Sequence, residues 1–267
     1  MKLNSLLVWL IFVITVLSIA GVVLADCDAA DALVAKAKKI FSQKNDVPTA
    51  DKAIVLCLQA VKQCPEQING FVLLSQLYWE RGDWLPRNQK TARMNLFKKG
   101  EAAADKALAI DPNNGKALYW KTTNMAAIAD MEGWTKSLWM FKTLRQNMLR
   151  VDELEPHYDY GATSRFWCEV LARVPLFLAG RFGFEPADVV AELEKEIVRE
   201  PRYFANYVYA ARVYWKLEQK EKALSHLEYV LKNNPNIMPS ELGPNTKQKQ
   251  IAAQLWKEYT GKTYPGR

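Results

Sequence analysis

Two histidines, four cysteines and a scatter of carboxylates are the groups in this 267-residue chain that could do covalent or metal chemistry. His157 follows the helix-ending Pro156, and His226 sits far along the chain beside Leu227. Neither has a Cys or His at the spacing that would complete a metal site. No Gly-rich phosphate loop, His-Glu-x-x-His pair or Gly-x-Ser-x-Gly elbow occurs. Asp152, Glu153 and Glu155 could pair as acid and base, but beside Arg150 at a helix end they read as solvated charge. The expectation is a binding protein with no catalytic residue, no metal and no cofactor.

The cysteines take their meaning from the N-terminus. Leu6 to Ala25 carries no charge, and Val23-Leu24-Ala25 supplies the small residues of a signal-peptidase site. Residues 1–25 therefore read as a signal peptide, leaving Asp26 as the mature terminus. A retained membrane anchor is the alternative, because an apolar run of about 20 residues can span a bilayer. A lipid anchor on Cys27 is a third reading, with Asp26 where such boxes prefer a small neutral residue. All three place residues 26–267 in the periplasm or on the outer face of the inner membrane, where disulfides form. Cys27 opens the first expected helix and Cys64 closes the second. A hairpin turning near Asp46 puts them 19 and 18 residues from the turn, level at its open end, so they are the expected disulfide. Cys57 and Cys168 read as core packing.

The chain is 49% hydrophobic, which excludes global disorder. Its formal charge of +7 falls to +6 without Lys2. Export argues against nucleic acid, and cations interleaved with acids, as in Glu192, Glu194, Lys195 and Glu196, read as solvated helix faces.

Landmark prolines at 65, 112, 156, 201 and 235 punctuate the sequence, each ending a helical stretch. From Phe204 to Pro235, Tyr207, Ala210, Ala211 and Tyr214 are followed by Ala223, Leu227 and Val230. Small residues at fixed places let two helices approach closely, and large ones fill the gaps between them. Similar spacing recurs at Ala53, Cys57 and Ala60, and at Phe71, Leu74, Ser75, Tyr78 and Gly82, before Ala104 and Ala107. The expected helices are 28–43, 49–63, 68–82, 89–110, 115–131, 133–154, 159–173, 186–199, 203–218, 220–233 and 245–260. No alternating run argues for a strand.

These landmarks resemble the tetratricopeptide repeat (TPR), a helical-hairpin unit of 34 residues. The resemblance implies an all-α solenoid of about five hairpins, elongated and closed by a polar capping helix, with 26–267 as one domain. A concave face built from the first helix of each hairpin would then bind the partner. The repeat frame places Asn69, Val72, Gln76, Trp79, Tyr119, Thr123, Tyr160, Trp167, Arg212 and Trp215 on that face, with Arg165 in the dense Arg-Phe-Trp spot before Trp167.

Within that superfamily, KALYWKTTNMAAIADMEG (116–133), LRVDELEPHYDYGATSRFWCEVLARVPLF (149–177) and GFEPADVVAELEKEIVREP (183–201) resemble the periplasmic T-component (TatT) family associated with TRAP transporters. That resemblance implies a periplasmic helical protein that associates with a solute-binding protein. It also implies a hydrophobic pocket or pore and homo-oligomers.

Three functional readings follow. The first is an exported scaffold for a protein partner. The second is a carrier of an apolar or amphipathic small molecule. The third is an envelope assembly factor held to the membrane only by its N-terminal segment.

Overall fold

The computed structural model describes residues 27–180 and 185–265; the segment read as signal peptide lies outside them. Among the described residues the chain is helical throughout, with no strand. Helix α1 covers 27–43, followed by α2 (Val47–Gln63), α3 (Ile68–Trp84), α4 (Lys90–Ile110), α5 (Gly115–Glu132) and α6 (Trp134–Leu154). After a 3₁₀ turn at Tyr158–Tyr160 come α7 (Ala162–Arg173) and the single turn α8 (Leu176–Ala179). The last helices are α9 (Pro186–Arg199), α10 (Phe204–Lys216), α11 (Lys220–Lys232) and α12 (Leu242–Thr260).

Local signals set these limits. Asp46 caps α2 by accepting a hydrogen bond from the Thr49 amide at 3.0 Å, with Pro48 in the first turn. The Thr49 side chain, with Lys44 and this amide, holds the Asp46 carboxyl down at about 2. Asn114 caps α5 through the Ala117 amide in the same way. Most limits fall within two residues of the sequence expectation, and the larger differences lie in α7, in α8 and in α12, which begins at Leu242 rather than 245. Helix α7 starts at Ala162 rather than 159, because His157, Asp159 and Tyr160 adopt left-handed backbone. Helix α8 interrupts a stretch expected to be wholly irregular.

Consecutive helices pack in pairs, and an inner layer forms as α3 meets α5, α7 meets α10, and α10 meets α12. Small residues allow the close approach within α2 and α4, where Ala50, Ala53, Cys57 and Ala60, then Ala104 and Ala107, are fully buried. A disulfide joins Cys27 to Cys64 across the open end of the first hairpin. Cys57 and Cys168 are free and buried, and desolvation pushes both thiols up to about 12, far from any nucleophilic state.

Three buried asparagines tie the inner layer together. Asn124 on α5 donates to the Ser75 hydroxyl of α3 at 3.1 Å. Asn206 on α10 accepts from Arg165 of α7 at 2.8 Å. Asn245 on α12 accepts from the Phe204 amide at 2.9 Å and donates to Arg202 O at 2.9 Å. Each side chain has 0% exposure, so its hydrogen bonds form without competition from water.

The last helix corrects the expectation of an elongated stack ending in a polar cap. Helix α12 returns to α3 and the first hairpin: Lys247 pairs with Glu80 of α3 at 2.9 Å and lies over the Trp84 ring at 4.4 Å. At Gly243 the contact is so tight that a Cβ would stand 2.7 Å from Asn45 N and 2.8 Å from Ser42 O. Backbone cannot yield as a flexible side chain can. Gly243→Ala is therefore expected to lower stability by about 1–3 kcal/mol, measured by urea unfolding, with faster amide exchange at residues 42–45 and 243–248.

Candidate functional site

The inner helices, together with α1, α6 and α12, surround a cavity of about 1040 Å³. Much of its lining is aromatic. Trp79 leans on Trp120 at 5.9 Å, Tyr119 meets Trp120 edge-on at 5.1 Å, and Trp167 contacts Phe166 at 4.9 Å and Phe141 at 5.9 Å. Small Ala126 and Ala127 leave space between these rings.

Three cations of the lining, Arg165, Arg173 and Lys247, are paired with carboxylates. Arg165 is 6% exposed and donates to Asp159 O at 2.6 Å, Tyr160 O at 3.0 Å and Asn206 Oδ1, and it also pairs with the Asp159 carboxylate. Its guanidinium stacks over Tyr203 at 4.9 Å. Arg173 is held by Glu169 at 2.7 Å and Asp130 at 3.1 Å, and Lys247 by Glu80. The Asp159 side chain keeps 37% of its surface accessible within this protein-lined space. Burial pushes its carboxyl upward against the pull of Arg165.

Arg165 holds an unusual segment. His157 (φ 63°), Asp159 (φ 45°) and Tyr160 (φ 58°) are left-handed, followed by Gly161 at φ 93°. The loop is pinned from three sides: by Arg165, by Asn206 donating to Tyr160 O at 2.9 Å, and by Trp120 Nε1 donating to the Tyr158 hydroxyl at 3.0 Å. Gly161 has no alternative residue here, since its φ is positive and a Cβ would meet Glu196 Cγ at 2.6 Å.

Of the residues expected on a concave face, Asn69, Val72, Gln76, Trp79, Tyr119, Thr123, Tyr160, Arg165 and Trp167 line this cavity. Arg212 and Trp215 do not, and each is occupied elsewhere. Arg212 turns behind the wall to Glu169 at 2.8 Å. Trp215 stacks on Tyr259 of α12 at 4.1 Å and 1°, a contact invisible until α12 is placed. Sequence spacing missed the lining from α1 (Lys38, Phe41), α6 (Leu138, Leu144) and α12 (Pro244, Gln248), and also Tyr203, Tyr209 and Glu241. For α6 the 3.6-residue apolar period was the available signal; for α1 and α12 nothing in the repeat frame indicated that the chain's ends meet.

The histidines serve in polar pairs, His157 with Glu196 at 2.8 Å and His226 with Glu194 at 2.9 Å. Among the described residues no group of acids, His and Cys is placed to hold a metal, and no helix is long and apolar enough to cross a membrane.

The family model described as TRAP transporter T-component matches residues 82–260. The chain belongs to that family, a transport-associated component without enzymatic activity. No curated protein matches it. The matched region begins at Gly82, so the disulfide-bonded first hairpin and nearly all of α3 precede it.

Two measurements test the site's electrostatics. Arg165→Met leaves Asp159 uncompensated and should cost about 3–5 kcal/mol, read by urea unfolding. Arg165→Lys should not restore this, because an ammonium cannot span two carbonyls and a carboxylate as a planar fork does. The second concerns Glu241, whose carboxyl burial pushes up to about 7, with Asp159 adding to the rise and Lys38 and Tyr160 opposing it. The folded state thus holds this proton more tightly than the unfolded chain, where the carboxyl titrates near 4.5. The resulting stability is complete below that value and is lost as pH rises through about 7. Glu241→Gln should flatten the fall in melting temperature between pH 5 and 8 relative to wild type.

Proposed function

We propose that this chain is an extracytoplasmic scaffold subunit of a TRAP-type transporter that binds the system's solute-binding protein. In this reading, residues 1–25 form a signal peptide or retained anchor, and residues 26–267 form one TPR-like solenoid whose inner face is the recognition surface. The observation that carries it is the T-component match over residues 82–260. The side-by-side pairing of consecutive helices supports the solenoid description. Mixing purified chain with the TRAP solute-binding component from the same genome should give a complex of defined stoichiometry by sedimentation velocity. Two independent boundaries at micromolar concentrations would end this reading.

A second reading, a carrier of an apolar or amphipathic small molecule, is favoured by the cavity itself. Its volume of about 1040 Å³ lies at the upper end of small-molecule sites. Its aromatic lining offers apolar contact, and Arg165, Arg173 and Lys247 are already neutralised by carboxylates. A small free anion seated on any of these three would have to break its pair. An uncharged or weakly polar tail would not. Native mass spectrometry of the purified protein should reveal a bound organic molecule. Ala127→Trp, which projects a ring into the open space, should reduce its occupancy about tenfold while leaving the melting temperature nearly unchanged. Retained occupancy in that variant would place the molecule elsewhere.

A further inference from the structure

The outward face of α6 has no role in the cavity. Helical spacing turns Leu138, Phe141 and Leu144 toward the cavity and puts Lys136, Trp139, Lys142, Gln146 and Leu149 on the opposite side. Trp139 is 80% exposed and Leu149 55%. A large aromatic ring is among the side chains that most often anchor a protein interface.

The charge around it has one sign. No acidic residue occurs between Glu132 and Asp152, whereas Lys136, Lys142, Arg145 and Arg150 all do. Residues 87–150, containing α4 to α6, hold twelve Lys and Arg against five Asp and Glu, a surplus equal to the +7 of the entire chain. The charge excess is therefore local. Lys136 has only a loose contact with Glu132, at 3.9 Å, and Lys142 is exposed. A partner complementary to this face must be acidic.

We propose that this face docks an acidic surface of the protein partner, with Trp139 filling a pocket and Lys136 and Lys142 forming a charged rim. The proposal rests on the scaffold reading above. A protein fits better than an anionic bilayer because the apolar contacts are discrete. Trp139 and Leu149 lie about 15 Å apart along the helix axis, with polar Thr143 and Gln146 between them. An interfacial membrane helix presents a continuous apolar stripe, whereas a protein interface concentrates its affinity in separated anchors within a polar rim.

The test uses the full chain and the TRAP solute-binding component of the same genome, with affinity measured at about 50 and about 300 mM salt. Trp139→Ala is expected to weaken binding at least tenfold. Lys136→Glu with Lys142→Glu should weaken it and remove much of its salt dependence. All three side chains point away from the core, and circular dichroism verifies that the fold is intact. Undiminished binding by both outward-face variants overturns this assignment and leaves the scaffold reading standing. Absence of binding by the wild-type chain overturns both. If the same variants instead lose attachment to phosphatidylglycerol vesicles while keeping the protein partner, the face belongs to the membrane and the proposal fails.

Discussion

The guanidinium of Arg165 is the chief tie on a loop that Asn206 and Trp120 also hold. Three non-glycine residues in left-handed backbone within four positions, His157, Asp159 and Tyr160, oppose folding by about 1–2 kcal/mol each. Arg165 offsets that cost by binding two carbonyls and a carboxylate of the same loop from within the first turns of α7. Because Asn206 joins the same guanidinium from α10, the loop geometry also sets where the second half of the molecule begins. Few contacts link α6 directly to α7. The loop, with Trp120 and Tyr119 reaching Tyr158 and Ala162, carries that junction.

Around this junction the core divides into two large apolar clusters, beside a small one of Tyr203, Ala205 and Met238. One spans α1 to α6 and takes in Ala162 and Phe166; the other runs from Cys168 through α12. They meet within α7, whose residues contribute to both. The cavity opens at this meeting place, where inner helices that pack tightly elsewhere are held apart by bulky rings and ion pairs. A hollow of this kind loses dispersion contacts that a filled core would have, so the lining is stabilised by its polar pairs and aromatic edges.

Much of this arrangement is legible in the sequence, for particular physical reasons. The helices are marked by prolines and caps such as Asp46 and Asn114, whose effects are local and survive any tertiary context. The inner-wall positions of Trp79, Tyr119 and Trp167 follow from helical periodicity, since a stripe common to successive first helices must face one side. What periodicity cannot give is a contact between segments 167 residues apart, such as Lys247 with Glu80. Trp215 lies outside the cavity because it stacks on Tyr259 of α12, Arg212 because it pairs with Glu169, and Glu241 joins the lining from a turn just before α12. The left-handed loop was also illegible: His, Asp and Tyr have no local preference strong enough to announce three positive φ angles, and the cause, Arg165, acts through folded geometry.

The return of α12 to the first hairpin separates this molecule from an open repeat array. In a linear array each terminal unit has one neighbour, and unravelling proceeds inward one hairpin at a time. Here Gly243 and Lys247 cover the Ser42–Asn45 turn and α3, so each extremity shields the other. Peeling either one away uncovers the opposite end, and the cost of the first step is shared by two regions far apart in the chain.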